Sequence, residues 1–163
     1  MVTELIQTTP DLTRYRPNAG VILLNENNRL FYAERADIPG AWQLPQGGID
    51  PGEDPRTAAT RELFEETAIH QLDLVAEYPH WLVYDFPSGA VKTDAAKARF
   101  HGQAQKWFMA RFTGTDADID LAQAAHHEFI DWRWALPEEI LRTTVAFRQP
   151  IYGELFKHFG LMA

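Results

Sequence analysis

The sequence contains no cysteine among its 163 residues. This absence excludes disulfides, cysteine metal ligands and thiol catalysis, and it fits the reducing conditions of the cytoplasm. Long apolar runs are also missing, and the run from Val21 to Leu24 is far shorter than a bilayer crossing requires. The first residues, MVTELIQTTPDL, lack the basic segment that begins a secretory signal. We therefore expect a cytoplasmic protein without membrane attachment.

Basic residues are scarce, with 15 lysines and arginines against 23 aspartates and glutamates and a net charge of −8. This balance excludes a protein that coats nucleic acid non-specifically, because positive charge carries that binding. It does not exclude a small basic pocket that grips one end of a nucleic acid. Five basic residues do cluster from Gly89 to Arg111, where Asp94 is the single acid: Lys92, Lys97, Arg99, Lys106 and Arg111. This segment fits either a solvated loop or a phosphate-binding surface.

Turn residues and apolar periodicity predict a single α/β domain over residues 15–163, preceded by a loosely held leader over residues 1–14. Asp54 and Pro55 are typical of a helix start, and no helix breaker occurs from Arg56 to Thr67. The glycine-rich segment before them predicts a loop, and QPIYGELFKHFG predicts a C-terminal helix. Aromatic and β-branched segments predict strands at Val21–Leu24, Arg29–Ala33, Trp42–Leu44, Leu74–Tyr78, Trp81–Phe86, Gln105–Phe112 and Phe129–Trp134.

Three glutamates, Glu62, Glu65 and Glu66, lie close together in the predicted helix. At 3.6 residues per turn their side chains fall within an arc of about 100°. Such carboxylates repel one another unless a positive group lies among them. Hard divalent cations such as Mg²⁺ prefer oxygen ligands and bridge to substrate phosphates. For the glutamates alone, a solvated acidic face is the better interpretation, and the flanking residues have to decide between the two.

The flanking residues complete a longer pattern. Gly47, Gly48 and Gly52 form a loop whose backbone can approach a ligand closely. Glu53 is spaced to pair with Arg61 and so to hold that loop against the helix. The whole stretch resembles the Nudix box, G-x5-E-x7-R-E-U-x-E-E-x-G-U, in which U is bulky and apolar. The matching residues are Gly47, Glu53, Arg61, Glu62, Leu63, Glu65, Glu66 and Ile69.

One position departs from the Nudix box. Ala68 stands where the family has a glycine, which we interpret as the C-terminal turn of the helix. Alanine is therefore expected to strain this turn without removing a metal ligand.

The resemblance implies an α/β/α sandwich around a mixed sheet and hydrolysis of a nucleoside diphosphate linked to another group. By the family pattern, Glu62, Glu65 and Glu66 bind divalent metal, with the carbonyl of Gly47 contributing. The expected cofactor is Mg²⁺, with Mn²⁺ as the second choice, and more than one ion. Glu53 and Arg61 would support the box structurally. The metals would neutralise phosphate oxygens and make water a better nucleophile.

Segments outside the box resemble one branch of the family, which contains bacterial RNA pyrophosphohydrolases and plant-type asymmetric dinucleoside tetraphosphate hydrolases. The resemblance runs from about Tyr15 to about Phe159 and is carried by RYRPNAGVILLN, AWQLPQGGID, HWLVYDFP, GQAQKWF, EFIDWRW and VAFRQPIY. It implies a further metal-binding or catalytic glutamate at Glu128. His126 and His127, just before it, are interpreted as surface or loop residues. The five tryptophans are assigned to packing.

The same resemblance implies which residues bind the substrate. Arg16 and Phe147 would sandwich a base, and Tyr84 is a second candidate for stacking. Arg35 and Lys106 are candidates for binding phosphate. Relatives often have a second basic residue at the position of Glu34, so the local positive field is weaker in this chain.

Three functions remain open at this stage. The first is removal of pyrophosphate from the 5′ end of triphosphorylated RNA, which leaves a monophosphate and promotes RNA decay. The second is asymmetric cleavage of diadenosine tetraphosphate or a similar dinucleoside polyphosphate. The third is a nucleotide sensor without catalysis, which the complete set of box glutamates disfavours. The sequence identifies no protein partner.

Overall fold

The computed structural model describes residues 5–8, 10–87 and 99–162. These residues form nine strands and three helices. In chain order they are β1 (Ile6–Gln7), β2 (Tyr15–Leu24), β3 (Leu30–Arg35), β4 (Trp42–Gln43), β5 (Gln46–Gly48), α1 (Pro55–Thr67), β6 (Leu72–Glu77), β7 (Trp81–Asp85), β8 (Gly102–Phe112), β9 (Phe129–Ala135), α2 (Pro137–Thr143) and α3 (Gln149–His158). None of the helices in these ranges is long and apolar enough to span a membrane.

The strands form one mixed sheet. β2 and β8 run parallel along their whole length, from Tyr15 beside Gly102 to Leu24 beside Arg111. The strand order across the sheet is β1-β7-β8-β2-β3-β4. Every other neighbouring pair in this order is antiparallel. β5 pairs with β2, β6 with β8, and β9 with β3. The prediction of an α/β fold with a mixed central sheet is therefore confirmed.

Helices cover both faces of the sheet. Successive side chains of β2 point to opposite faces, so alternate residues pack against different helices. Val21 and Leu23 belong to the apolar cluster that contains Ala58, Ala59 and Leu63 of α1. Ile22 and Leu24 belong to the cluster that contains Leu155 and Phe156 of α3. Burying each such aliphatic side chain stabilises the fold by about 1.5–3 kcal/mol. The result is the expected α/β/α sandwich.

Helix α1 begins and ends as the sequence predicts. The carboxylate of Asp54 accepts a hydrogen bond from the backbone N–H of Thr57 at 3.3 Å, and Pro55 occupies the first turn. The helix ends at Ala68, whose φ of 66° is left-handed. A residue with a Cβ pays about 1–2 kcal/mol for that conformation. The predicted strain at the position of the family glycine is therefore present.

The loop prediction for the glycine-rich segment was wrong for Gln46–Gly48. These residues form β5 and pair antiparallel with β2, with Asn18 opposite Gly48 and Gly20 opposite Gln46. The pairing satisfies the hydrogen-bonding groups of this backbone. The sequence does not predict the strand, because glycines have no side chains that alternate between its two faces. It also fixes this segment at the edge of the site, next to α1. Helix α2, Pro137–Thr143, was not predicted.

Candidate active site

A polar cavity of about 260 Å³, the acidic cavity, lies between α1, β5 and the loop that precedes β9. Two of the box glutamates, Glu62 and Glu66, line it, and Glu128 joins them from the loop. The fold therefore brings a glutamate from outside the box to the same cavity as the box glutamates. Glu65 does not line the cavity, but one of its carboxylate oxygens lies within 4.8 Å of a carboxylate oxygen of Glu62.

Arg61 is the positive group that lies among the glutamates. Its Nε and Nη2 donate to the two carboxylate oxygens of Glu53 at 2.7 and 2.8 Å. Its Nη1 donates to both Glu62 and Glu65 at 3.1 Å. Its Nη2 also donates to the carbonyl of Gly48 at 2.9 Å. The predicted pairing of Glu53 with Arg61 is present, and it joins the loop, β5 and α1.

These contacts shift the pKa values of the groups involved. Hydrogen bonds from Arg61 lower the pKa of Glu53 to about 2, so Glu53 stays ionised at neutral pH. The pKa of the Arg61 guanidinium is raised, mainly by the same hydrogen bonds. Burial raises the pKa of Glu62, although Arg61 acts in the opposite direction.

Two glycines allow the close packing around the cavity. A Cβ on Gly47 would collide with the carboxylate of Glu62, and a Cβ on Gly48 would collide with the guanidinium of Arg16. Both positions therefore need glycine, because a charged side chain lies where a Cβ would be. Gly47 lines the cavity, so its carbonyl remains a predicted metal ligand.

Glu66 is the most perturbed group of the site. Its side chain is only 3% exposed, and its Oε1 has no hydrogen-bond partner among the described residues. Burial raises its pKa well above the usual value, and the charges of Glu62, Glu128 and Glu65 raise it further. An unpaired buried carboxylate is costly, so this position favours a cation that is not part of the chain.

The residues of this site fit divalent metal. The orphaned oxygen of Glu66, the glycine that makes room for Glu62, and a donor set dominated by carboxylates all suit hard cations. Glu62, Glu65 and His126 each offer one ligand atom within 4.8 Å of the others.

Basic residues line the same cavity as the glutamates. Arg16 and Arg35, both expected from the sequence, are among them. Arg35 also forms a two-pronged pair with Asp37, with distances of 2.8 and 2.6 Å. Arg148 is a third, which the sequence reasoning missed. It is buried, lies over the ring of Phe147 at 4.7 Å, and its Nε has no hydrogen-bond partner in the described ranges.

Phe147 and Tyr84 lie next to each other, with ring centroids 5.5 Å apart and an interplanar angle of 34°. Tyr84 is buried, and its hydroxyl donates to Oε1 of Gln103, which lines the cavity. Burial raises the pKa of this hydroxyl to about 12. Phe147 is half-buried. Tyr84 thus packs against the Phe147 ring.

Two other residues that the sequence singled out, the predicted phosphate contact Lys106 and the acidic Glu34, do not line the cavity. The Nζ of Lys106 lies 5.4 Å from the ring centroid of Trp81. Glu34 accepts a hydrogen bond from the backbone N–H of Gly40 at 2.7 Å.

The predicted basic surface is divided. Lys92, Asp94 and Lys97 lie outside the described residues. Arg111 donates to Asn25 and Asn28 at the β2–β3 turn. Arg99 lies against a second pocket, described below.

The sequence did not predict that His126 lies beside the glutamates of α1. It lies in the loop before β9, as expected, but its backbone N–H donates to the carbonyl of Glu65 at 2.9 Å. Its imidazole consequently lines the acidic cavity. Asn18 and Gln43 were missed as well, and each contributes a buried side-chain oxygen without a partner in the described part of the chain. The sequence signal that could have identified them is a polar residue within a buried strand.

Comparison with known proteins agrees with this geometry. The sequence profile of the NUDIX domain matches residues 14–156. The chain belongs to the NUDIX family of hydrolases, enzymes that depend on divalent metal and act on pyrophosphate bonds.

Two curated relatives resemble the chain over most of its length. Nudix hydrolase 25 of Arabidopsis thaliana is 48% identical over 152 residues, which cover 90% of this chain and 86% of the relative. The RNA pyrophosphohydrolase of Erythrobacter litoralis (strain HTCC2594) is 46% identical over 150 residues, with coverage of 90% and 91%. A crystal structure of a C. elegans Ap4A hydrolase binary complex has a TM-score of 0.62 at 20% identity, covering 89% of this chain and 99% of that one. That structure supports the fold.

Proposed function

We propose that this protein is a metal-dependent RNA pyrophosphohydrolase. It would remove pyrophosphate from the 5′ end of triphosphorylated RNA, leave a 5′ monophosphate and thereby promote RNA decay. One observation carries the proposal: Glu62, Glu66 and Glu128 line the same cavity as three arginines, Arg16, Arg35 and Arg148. The RNA pyrophosphohydrolase of Erythrobacter litoralis, at 46% identity, supports the choice of RNA.

The proposed roles follow from the contacts. Glu62, Glu65, Glu66 and Glu128 would hold the ions, and the carbonyl of Gly47 would contribute. When bound, divalent ions neutralise phosphate charge and activate water for attack at phosphorus. Arg61 holds Glu62 and Glu65 in place and is itself held by Glu53. Arg16, Arg35 and Arg148 face the cavity and would bind phosphate oxygens.

We propose Mg²⁺ as the main ion, with Mn²⁺ as an alternative, and more than one ion per site. The support is the number of carboxylates: four glutamates converge on the cavity or its edge, while Arg61 neutralises Glu53 and only part of the remaining charge. Carboxylate-rich sites with substrate phosphate suit Mg²⁺. The proposed place of action is the cytoplasm, which the cysteine-free composition supports.

A second pocket supports a substrate longer than one nucleotide. It has a volume of about 630 Å³, and Arg16 lines both this pocket and the acidic cavity. Trp81, Phe100 and Arg99 line it further. Aromatic rings beside guanidinium groups are typical of surfaces that bind single-stranded nucleic acid. An RNA chain whose 5′ end occupies the cavity would have a path past Arg16 into this pocket.

Cleavage of dinucleoside polyphosphates is the second candidate function. The contact between Phe147 and Tyr84 is the observation in its favour, because two aromatic rings could receive two adenines. The burial of Tyr84 and its hydrogen bond to Gln103 count against it, since they leave Tyr84 little surface for a second base.

The test is single-turnover hydrolysis of a short 5′-triphosphorylated RNA in Mg²⁺, with the released phosphates identified. We expect pyrophosphate as the product, loss of the reaction in EDTA, and a large loss of rate in Glu65→Gln with little change in folding. Glu26→Gln, an exposed glutamate of the β2–β3 turn, is the matched control. RNA binding without turnover would instead indicate a nucleotide sensor, and wild-type activity of Glu65→Gln would refute the assigned ligands.

A further inference from the structure

His126 lines the acidic cavity, although neither the Nudix box nor the wider resemblance assigns it a role there. The hydrogen bond from its backbone N–H to the carbonyl of Glu65, 2.9 Å long, fixes the loop against the C-terminal half of α1. The contact uses only backbone atoms, so it would persist with any side chain at this position. It nevertheless puts an imidazole beside two carboxylates.

The imidazole is close enough to share a cation with these carboxylates. Its Nδ1 lies 3.5 Å from Oε2 of Glu65. Ligand atoms of Glu62, Glu65 and His126 all lie within 4.8 Å of one another. Metal–ligand bonds of about 2.0–2.2 Å bring donors on one ion to a slightly smaller separation. The side chain of His126 is 53% exposed, so it has room for that adjustment.

A second observation indicates that this place receives a cation. Oε1 of Glu66 is buried without a partner in the described residues, and Glu66 lines the same cavity as Glu62 and His126. Arg61 donates its side-chain hydrogen bonds to Glu53, Glu62, Glu65 and the carbonyl of Gly48 instead. The cavity thus has a carboxylate oxygen that no described side chain neutralises.

A simple ion pair between His126 and Glu65 is the competing explanation. The separation of 3.5 Å is long for a charge-assisted hydrogen bond, which is usually about 2.7–2.9 Å. Oε2 of Glu65 also already accepts a hydrogen bond from Arg61 at 3.1 Å. The geometry therefore fits His126 and Glu65 as two ligands of one ion better than it fits a direct ion pair between them.

We propose that Nδ1 of His126 is a nitrogen ligand of a divalent ion held with Glu62 and Glu65. The inference rests on the metal-binding role proposed above for these glutamates. Imidazole favours first-row transition ions, whereas carboxylate alone suits Mg²⁺. The site of this chain therefore binds Mn²⁺ and Co²⁺ more tightly, relative to Mg²⁺, than it would without His126.

The direct test is pulsed electron paramagnetic resonance of the full chain loaded with Mn²⁺. We expect a ¹⁴N coupling from a directly bound imidazole in the wild type, its replacement by a ¹⁵N coupling after histidine labelling, and its loss in His126→Ala. His127→Ala is the matched control, because His127 is the exposed neighbour and does not line the acidic cavity. It should keep the signal.

Calorimetry provides the second measurement. Removing His126 should weaken Mn²⁺ binding about tenfold or more, and Mg²⁺ binding less. Bound Mn²⁺ without a nitrogen coupling, or a coupling that persists in His126→Ala, overturns the inference but leaves the carboxylate site intact. A wild-type chain that binds no Mn²⁺ and no Mg²⁺ overturns the proposed metal site itself, and the inference with it.

Discussion

Replacing Glu66 with glutamine should make the metal-free protein more stable than the wild type and should reduce the stabilisation that bound metal provides. The carboxylate is 3% exposed, Oε1 has no partner in the described chain, and Glu62, Glu128 and Glu65 repel it. Leaving such a group unsatisfied costs about 1–3 kcal/mol. Glutamine has almost the same shape and carries no charge. Its amide N–H can donate a hydrogen bond to a neighbouring carboxylate.

The magnitude is measurable for a chain of this size. A gain of about 1–3 kcal/mol corresponds to a rise in Tm of roughly 2–12 °C, at about 2–4 °C per kcal/mol. Saturating metal raises the stability of the wild type. At a metal concentration about 100 times Kd, binding adds about 2.7 kcal/mol to its free energy of unfolding. Glu66→Gln should lose most of that increment.

The assay is urea unfolding of both proteins in EDTA and in Mg²⁺. Glu66→Gln should be more stable than the wild type in EDTA and should gain much less stability than the wild type when Mg²⁺ is added, and Glu26→Gln should match the wild type in both conditions. A Glu66→Gln protein that is less stable in EDTA, or that gains as much stability from Mg²⁺ as the wild type, would refute the assignment of Glu66 as a metal ligand.

Three further predictions concern the helix end, the salt bridge and the stacking ring. Ala68→Gly should raise the free energy of unfolding by about 0.5–1 kcal/mol, since relief of the left-handed alanine outweighs the added backbone entropy of glycine; a less stable variant in urea unfolding would contradict this. Because Arg61 lowers the pKa of Glu53 from 4.5 to about 2, the pair stabilises the fold above about pH 4.5, and this contribution is lost as the pH falls towards 2. The stability difference between wild type and Glu53→Gln, measured from pH 7 downwards, should shrink accordingly, and a constant difference would count against the pairing. Phe147→Ala should lower kcat/KM on triphosphorylated RNA about 5- to 150-fold, mainly through KM, because stacking contributes about 1–3 kcal/mol per base; steady-state kinetics with an unchanged KM would exclude Phe147 as the stacking ring.

The fold was predictable where side-chain pattern and backbone structure coincide. The cap at Asp54, the helix that follows it and the buried strand segments all carry local signals in residue type and period. Strand β5 carries none, because Gly47 and Gly48 have no side chains to alternate. Its existence depends on pairing with β2, a contact between segments distant in sequence.

The candidate site divides in the same way. The box predicted which glutamates share one helix face, and the resemblance added Glu128. The closeness of His126 to Glu65 could not be predicted, since it depends on how the loop before β9 returns to α1. Arg148 was hidden for another reason: a buried arginine beside Phe147 has no sequence period that distinguishes it from an exposed one.

The central claim is tested most directly by a side-by-side turnover assay in Mg²⁺. It compares a short 5′-triphosphorylated RNA with diadenosine tetraphosphate at equal enzyme concentration and measures kcat/KM and products for each. Our account predicts pyrophosphate release from the RNA with a far higher kcat/KM than cleavage of the dinucleotide. Efficient cleavage of the dinucleotide with poor turnover of the RNA would contradict it.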